Sequence, residues 1–134
     1  MKIGVGIVGI GMIADFHAKA IKEISNAEIV ACMSRSREKA DAFGAKFGCT
    51  GYSSMKEFLS HPGLDAVSIC TPSGYHLEPT CAAAEAGKHL IVEKPLEVTL
   101  ERCDKMIETC ERINVCLAGI FPSRFNPVSG KIKQ

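Results

Sequence analysis

Gly9-Ile10-Gly11-Met12-Ile13-Ala14 directly follows the apolar run Ile3 to Val8 and opens a segment with apolar residues at helical spacing. A G-x-G-x-x-A hexapeptide placed between a strand and a helix confines the chain to a tight βα turn. Gly9 permits the turn, Gly11 lets the backbone approach a ligand, and Ala14 keeps helix and strand close. The first N–H groups of the helix, from Met12 and Ile13 onward, have no acceptor within it and face an anion at the positive helix end. This spacing predicts a dinucleotide's diphosphate on the turn, held by Gly9, Gly11, Met12 and Ile13.

The rest of the chain repeats the same grammar. Short β-rich runs at Ile3 to Val8, Ala27 to Met33, Cys49 to Tyr52, Ala66 to Cys70, His89 to Val92 and Val115 to Gly119 alternate with helix-period segments. Ile13, Phe16, Ala20, Ile21 and Ile24 form one apolar stripe, and Leu100, Cys103, Ile107, Cys110 and Ile113 form another. Alternation of this kind predicts an α/β fold of the Rossmann type, a doubly wound sheet of about six parallel strands with helices on both faces. Ser54 with Glu57 makes a capping box, and Thr99 with Glu101 puts a hydroxyl cap and a carboxylate at a helix start. Small residues in Leu77 to Gly87 let that helix lie close on the sheet, with Pro79 in its first turn and Gly87 as a stop.

Charge and composition exclude several classes of partner. Among 134 residues, 16 basic side chains face 15 acidic ones, so no polybasic surface for nucleic acid is indicated. No apolar run approaches the ~20 residues of a membrane span, and the N-terminal stretch lacks the features of a signal peptide. The seven cysteines, Cys32, Cys49, Cys70, Cys81, Cys103, Cys110 and Cys116, include no CxxC pair. They read as reduced thiols packed as small hydrophobes, which points to a cytoplasmic protein with no metal site.

Cofactor choice is written at the end of the second strand. An acid is expected there to bond the ribose hydroxyls of NAD, yet the segment reads Cys32-Met33-Ser34-Arg35-Ser36-Arg37. Arg35 can pair with a 2′-phosphate and Ser34 can donate to it, so NADP is the expected cofactor, with NAD as the alternative.

Two later motifs carry a family resemblance. Thr71-Pro72-Ser73-Gly74-Tyr75-His76 follows the fourth strand, and Ala86-Gly87-Lys88-His89-Leu90-Ile91-Val92-Glu93-Lys94-Pro95 spans the fifth. With the glycine turn, these make the chain closely resemble the Gfo/Idh/MocA oxidoreductases, sugar and inositol dehydrogenases and their relatives. The resemblance implies a loop beside the cofactor at Thr71, Pro72 and His76, although a histidine near a helix start can instead simply hydrogen-bond backbone. It also implies an EKP signature at Glu93-Lys94-Pro95, with a cis peptide before Pro95. In that signature Glu93 meets the cofactor's ribose, and Lys94, the candidate catalytic residue, reaches toward the nicotinamide ribose and the substrate hydroxyl. An ammonium there can stabilise developing oxyanion charge or relay a proton. His17, His61 and His89 carry no partner signal and are assigned solvent or packing roles.

The resemblance also implies what to expect of the chain's extent. Residues 1–120 read as the NAD(P)-binding domain. Residues 121–134, with two prolines and the basic ending Lys131-Ile132-Lys133-Gln134, read as the truncated start of a substrate and dimerisation domain. The family's general acid/base lies in that second domain, and no residue here matches it. The full-length parent is expected to transfer hydride between NADP(H) and a secondary alcohol or ketone of a sugar-like small molecule. This chain alone is expected to bind cofactor without turnover and to form a homo-oligomer or self-associate through exposed sheet surface. A stand-alone NADP-binding module and an inactive remnant are the alternatives.

Overall fold

The computed structural model describes residues 1–132. Six strands, β1 (Ile3–Val8), β2 (Ala27–Met33), β3 (Thr50–Tyr52), β4 (Ala66–Ile69), β5 (His89–Val92) and β6 (Leu117–Gly119), form one sheet in the order β3-β2-β1-β4-β5-β6. Every neighbouring pair is parallel. Strands covered on both faces read as nearly unbroken apolar runs, which is why β1 and β4 were legible as such. Five helices connect or follow them: α1 (Met12–Lys22), α2 (Arg37–Phe47), α3 (Met55–Leu59), α4 (Leu77–Glu85) and α5 (Leu100–Ile113). A 3₁₀ turn (Pro122–Phe125) and α6 (Pro127–Ile132) complete the described chain. The expected basic ending extends to Lys133 and Gln134, which lie outside the described residues.

Two apolar layers hold the sheet. On one face Ala14, Ala18 and Ile21 of α1 and Phe43 and Phe47 of α2 pack on Val5, Ile7 and Ile29. On the other, Phe58, Ala83, Ala84, Met106 and Cys110 pack on Val67, Ile69, Leu90 and Val92. Beyond β4 this layer thins, because among the described residues no helix packs over β5 and β6 on that side. An open apolar groove of about 580 Å³ lies there, between Phe16 and Ala20 of α1 with Ile24 just beyond it, and Ile91 of β5 with Ile120 just after β6.

Caps confirm the expected helix starts. Ser54 accepts from Glu57 N at the start of α3, and Thr99 accepts from Arg102 N at the start of α5. Helix α2, which no strong apolar stripe announces, is bounded instead by Ser36, accepting from Lys39 N, and by left-handed Gly48. Cys32, Cys70 and Cys110 are buried as expected of core thiols, whereas Cys116, placed in an apolar run by the sequence reading, is exposed just before β6. Among the described residues no helix is long and apolar enough to cross a membrane.

Candidate functional site

Strand register brings the motifs together. Val8 is level with Met33 of β2 and with Ile69 of β4, and Ile69 is level with Val92 of β5. The next residues, Gly9, Ser34, Cys70 and Glu93, therefore leave the sheet at one height, along its carboxyl edge. The strand order reverses between β1 and β4, and ligands of open α/β sheets bind at such a point. A cleft of about 1510 Å³ opens along this edge, above the ~300–1,000 Å³ usual for small-ligand sites. That is room for an extended two-nucleotide molecule.

The glycine turn shows two different needs for glycine. Gly9 has φ +89°, and a Cβ there would lie 2.6 Å from Thr71 N, so β1's turn and the loop after β4 touch. Gly11 has φ −122° and ψ −164°, a conformation open to any residue, and a Cβ built on it meets nothing within 4 Å. Neither backbone strain nor a protein neighbour explains Gly11. A ligand pressed against the main chain would, and the start of α1 has N–H groups that can hold an anion there.

Ser34, Arg35, Thr71, Pro72, Glu93 and Lys94 line the same cleft with Gly9, Gly11 and Ile13. Met12 is 82% exposed and its side chain is not part of the lining, so only its backbone belongs to the turn. Ser34 Oγ accepts from Ser36 N at 3.2 Å, which leaves its own hydrogen to donate. Lys39, which the sequence reading did not single out, lines the cleft beside Arg35 from the first turn of α2. Its helical spacing from Ser36 was the available signal. Thr71 Oγ1 donates to Tyr75 O at 2.9 Å and closes its own loop.

His76 takes the second of its two expected roles, bonding backbone rather than lining the cleft. The side chain is buried, at 1% exposure, beneath the loop. Its Nε2 is 2.8 Å from Thr71 O and its Nδ1 2.9 Å from Pro95 O, so it ties the two motif loops together and presents no free edge to the cleft. The Lys94–Pro95 peptide is cis, as the resemblance implies.

His17 differs from expectation. Far from lacking partners, its ring sits between Ser68 Oγ at 2.6 Å and Glu93 Oε1 at 2.9 Å. His61 likewise meets Tyr52, and His89 accepts from Cys116 N. Burial pushes the thiol of Cys70, beside Ser68, up to about 12; Ser68's hydrogen bond opposes this and the charge of Glu93 adds to it.

Glu97 is a structural residue of the site that no local pattern announced. Its side chain is fully buried, and Oε2 accepts the N–H groups of His76 at 3.0 Å and Leu77 at 2.8 Å, capping α4 from a distant loop. Arg102, which lines the cleft, donates to Glu97, to Glu78 and to Gly74 O, and so fixes the loop after β4. Burial works to raise the Glu97 carboxyl, but Val98 N, Leu77 N, Arg102 and His76 N outweigh it and hold it below its ordinary value. A lowered folded-state value stabilises above the unfolded value of about 4.3 and is lost as pH falls through the folded one. Glu97→Gln is expected to cost about 1 kcal/mol near neutral pH, the usual size of a helix-cap loss. Thermal melts should show the gap to wild type narrowing below about pH 4; a gap that stays constant with pH would refute this role.

Comparison with known proteins agrees with this geometry. A family model described as "Oxidoreductase family, NAD-binding Rossmann fold" (GFO_IDH_MocA) matches residues 3–120. Myo-inositol 2-dehydrogenase of Thermotoga maritima is 32% identical over 131 residues, which cover 97% of this chain and 39% of that protein. Among solved structures, the WlbA dehydrogenase of Bordetella pertussis, in complex with NADH and UDP-GlcNAcA, superposes with a TM-score of 0.94 at 31% identity. That match covers 99% of this chain and 41% of the other. KijD10, a 3-ketoreductase of Actinomadura kijaniata in complex with TDP-benzene and NADP, superposes at 0.91 with 26% identity, covering 98% and 42%. The chain thus spans about two fifths of the length of the proteins it matches.

Proposed function

Since this chain belongs to the Gfo/Idh/MocA oxidoreductase family, as its NAD(P)-binding Rossmann domain, we propose that it holds NADP in the cleft at the carboxyl edge of the sheet. The observation that carries this reading is Gly11, a glycine that neither conformation nor packing requires, beside the partnerless N–H groups opening α1. In this reading the diphosphate lies on Gly9, Gly11 and the backbone of Met12 and Ile13. Ser34, Arg35 and Lys39 receive the 2′-phosphate of the adenine ribose, and the two carboxylates that line the cleft, Glu78 and Glu93, come from α4 and the end of β5 rather than from the β2–α2 corner. Thr71 and Pro72 flank the cofactor, and His76 fixes the loop that carries them.

At the other end stand Glu93 and Lys94. When bound, the nicotinamide ring supplies or accepts a hydride. Lys94 is exposed in the cleft, where its ammonium would hold a substrate hydroxyl and stabilise oxyanion charge as the carbonyl forms or is reduced. Its backbone N–H is anchored by Glu93 Oε2 at 2.9 Å, which fixes where the side chain begins. We infer a sugar-like secondary alcohol or ketone as the substrate of the whole enzyme, in keeping with the named activities of the relatives. Residues 121–134 then lead into the part that supplies the proton-transfer group and grips the substrate.

Calorimetric titration of the chain with NADPH, NADP, NADH and NAD tests the reading. Binding of the phosphorylated pair about tenfold or more tightly than the other is expected from one charge-assisted contact to the 2′-phosphate. Equal affinities would remove the proposed preference, and no binding at all would remove the site.

A further inference from the structure

The groove beside α1 is apolar except for three side chains at its floor. His17 comes from the middle of α1, Ser68 from β4 and Glu93 from the end of β5, and they form one hydrogen-bonded row. Ser68 is fully buried, and the side chains of His17 and Glu93 are 11% and 10% exposed. An ionised carboxylate only accepts, so His17 Nε2 donates to Glu93 Oε1; in the neutral ring Nδ1 is left to accept from the Ser68 hydroxyl. Cys70 Sγ, 3.7 Å from Ser68 Oγ, is the other titratable group against the row, and burial keeps it a neutral thiol.

Polar groups this well enclosed are costly unless each is satisfied, and here the satisfaction is mutual. Glu93 is the hinge of the arrangement, since it lines both this groove and the cofactor cleft. One carboxylate oxygen holds His17 and the other holds the N–H of Lys94, so the orientation of the carboxylate sets the peptide from which the Lys94 side chain departs. His17, through Glu93, therefore joins the helix that begins on the glycine turn to the corner at the opposite end of the cleft.

We propose that His17 is a positioning residue: from the back of the sheet it fixes the Glu93–Lys94 corner that meets the nicotinamide half of the dinucleotide. This rests on the reading of the cleft as an NADP site and goes beyond it, because His17 is no part of the cleft lining. Its effect is confined to one half of the ligand, which a purely structural role would not be.

Calorimetric titration with NADPH and with adenosine 2′,5′-bisphosphate, which lacks the nicotinamide half, separates the two. His17→Asn retains a group near Ser68 but cannot reach Glu93. It is expected to weaken NADPH by about tenfold, as for loss of one hydrogen bond to a charged group, and to leave the bisphosphate unchanged. His17→Gln, whose amide reaches as far as Nε2, is expected to recover most of the NADPH affinity. Ser68→Ala gives a milder variant should His17→Asn fail to fold, with a smaller loss again restricted to NADPH. Equal weakening of both ligands, or of neither, by the folded variants overturns the proposal. Failure of the unsubstituted chain to bind either ligand overturns the cofactor reading itself, and the proposal with it.

Discussion

Gly11→Ala is expected to lower NADPH affinity by about 10- to 100-fold, the equivalent of one or two lost hydrogen bonds to an anion, while the melting temperature holds or rises slightly. The two effects part company because, in the proposed reading, this glycine serves the ligand alone. Its φ of −122° and ψ of −164° suit alanine, and the added methyl meets no protein atom within 4 Å. Restricting the unfolded chain at such a position adds about 0.4–1 kcal/mol to stability. The methyl stands where main chain and diphosphate would otherwise touch, and it holds the anion off the N–H groups that open α1. Gly9→Ala is the contrast. Its Cβ would lie 2.6 Å from Thr71 N at a φ of +89°, so that variant should lose folding and binding together. Thermal melts paired with NADPH titrations distinguish the patterns, and full affinity in Gly11→Ala would show that no ligand occupies the turn.

The sequence disclosed this turn because its chemistry is local. Strand, two glycines, an alanine and the start of the helix lie within a dozen residues, a spacing that can be read without knowing what the rest of the chain brings near. The same holds for β1, β2 and β5, whose apolar runs matched the observed bounds, and for the caps Ser54 and Thr99. Other parts depend on partners the chain brings from afar. His17 meets residues 51 and 76 positions away, and Glu97 caps a helix that begins 20 residues before it. No periodicity encodes such meetings. His76 stayed open between two roles for a related reason: a motif places a residue near a site without saying whether it faces the ligand or braces the loop. Here the backbone carbonyls of Thr71 and Pro95 enclose both ring nitrogens. Helix α2 was hard to see because its inward face is spread over Ala40, Phe43, Gly44 and Phe47, two of which are too small to register as an apolar stripe.

Arg35→Ala is expected to weaken NADPH by about tenfold and to leave NADH nearly unchanged, the loss of one charge-assisted contact that only the 2′-phosphate makes. The ribose end of the cleft justifies this selectivity. Arg35 is exposed there, immediately beyond Ser34, and Lys39 lines the same cleft from the first turn of α2. Two cations sharing one phosphate back each other up, so the single variant should lose only part of the preference, and Arg35→Ala with Lys39→Ala about 100-fold of NADPH affinity. Salt provides an independent check, since contacts between solvent-exposed charges fade once the Debye length shrinks from ~10 Å at 0.1 M to ~3 Å at 1 M. NADPH affinity should therefore fall with ionic strength more steeply than NADH affinity in the unsubstituted chain, and the two slopes should converge in the double variant. Converting Ser34 to aspartate in that background would supply the carboxylate whose absence marks this sequence, bonding ribose hydroxyls and repelling the phosphate. Preference for NADH is the expected result. If Arg35→Ala weakens both dinucleotides alike, the guanidinium serves the adenine or the fold rather than the phosphate, and the discrimination between the cofactors must be sought elsewhere in the cleft.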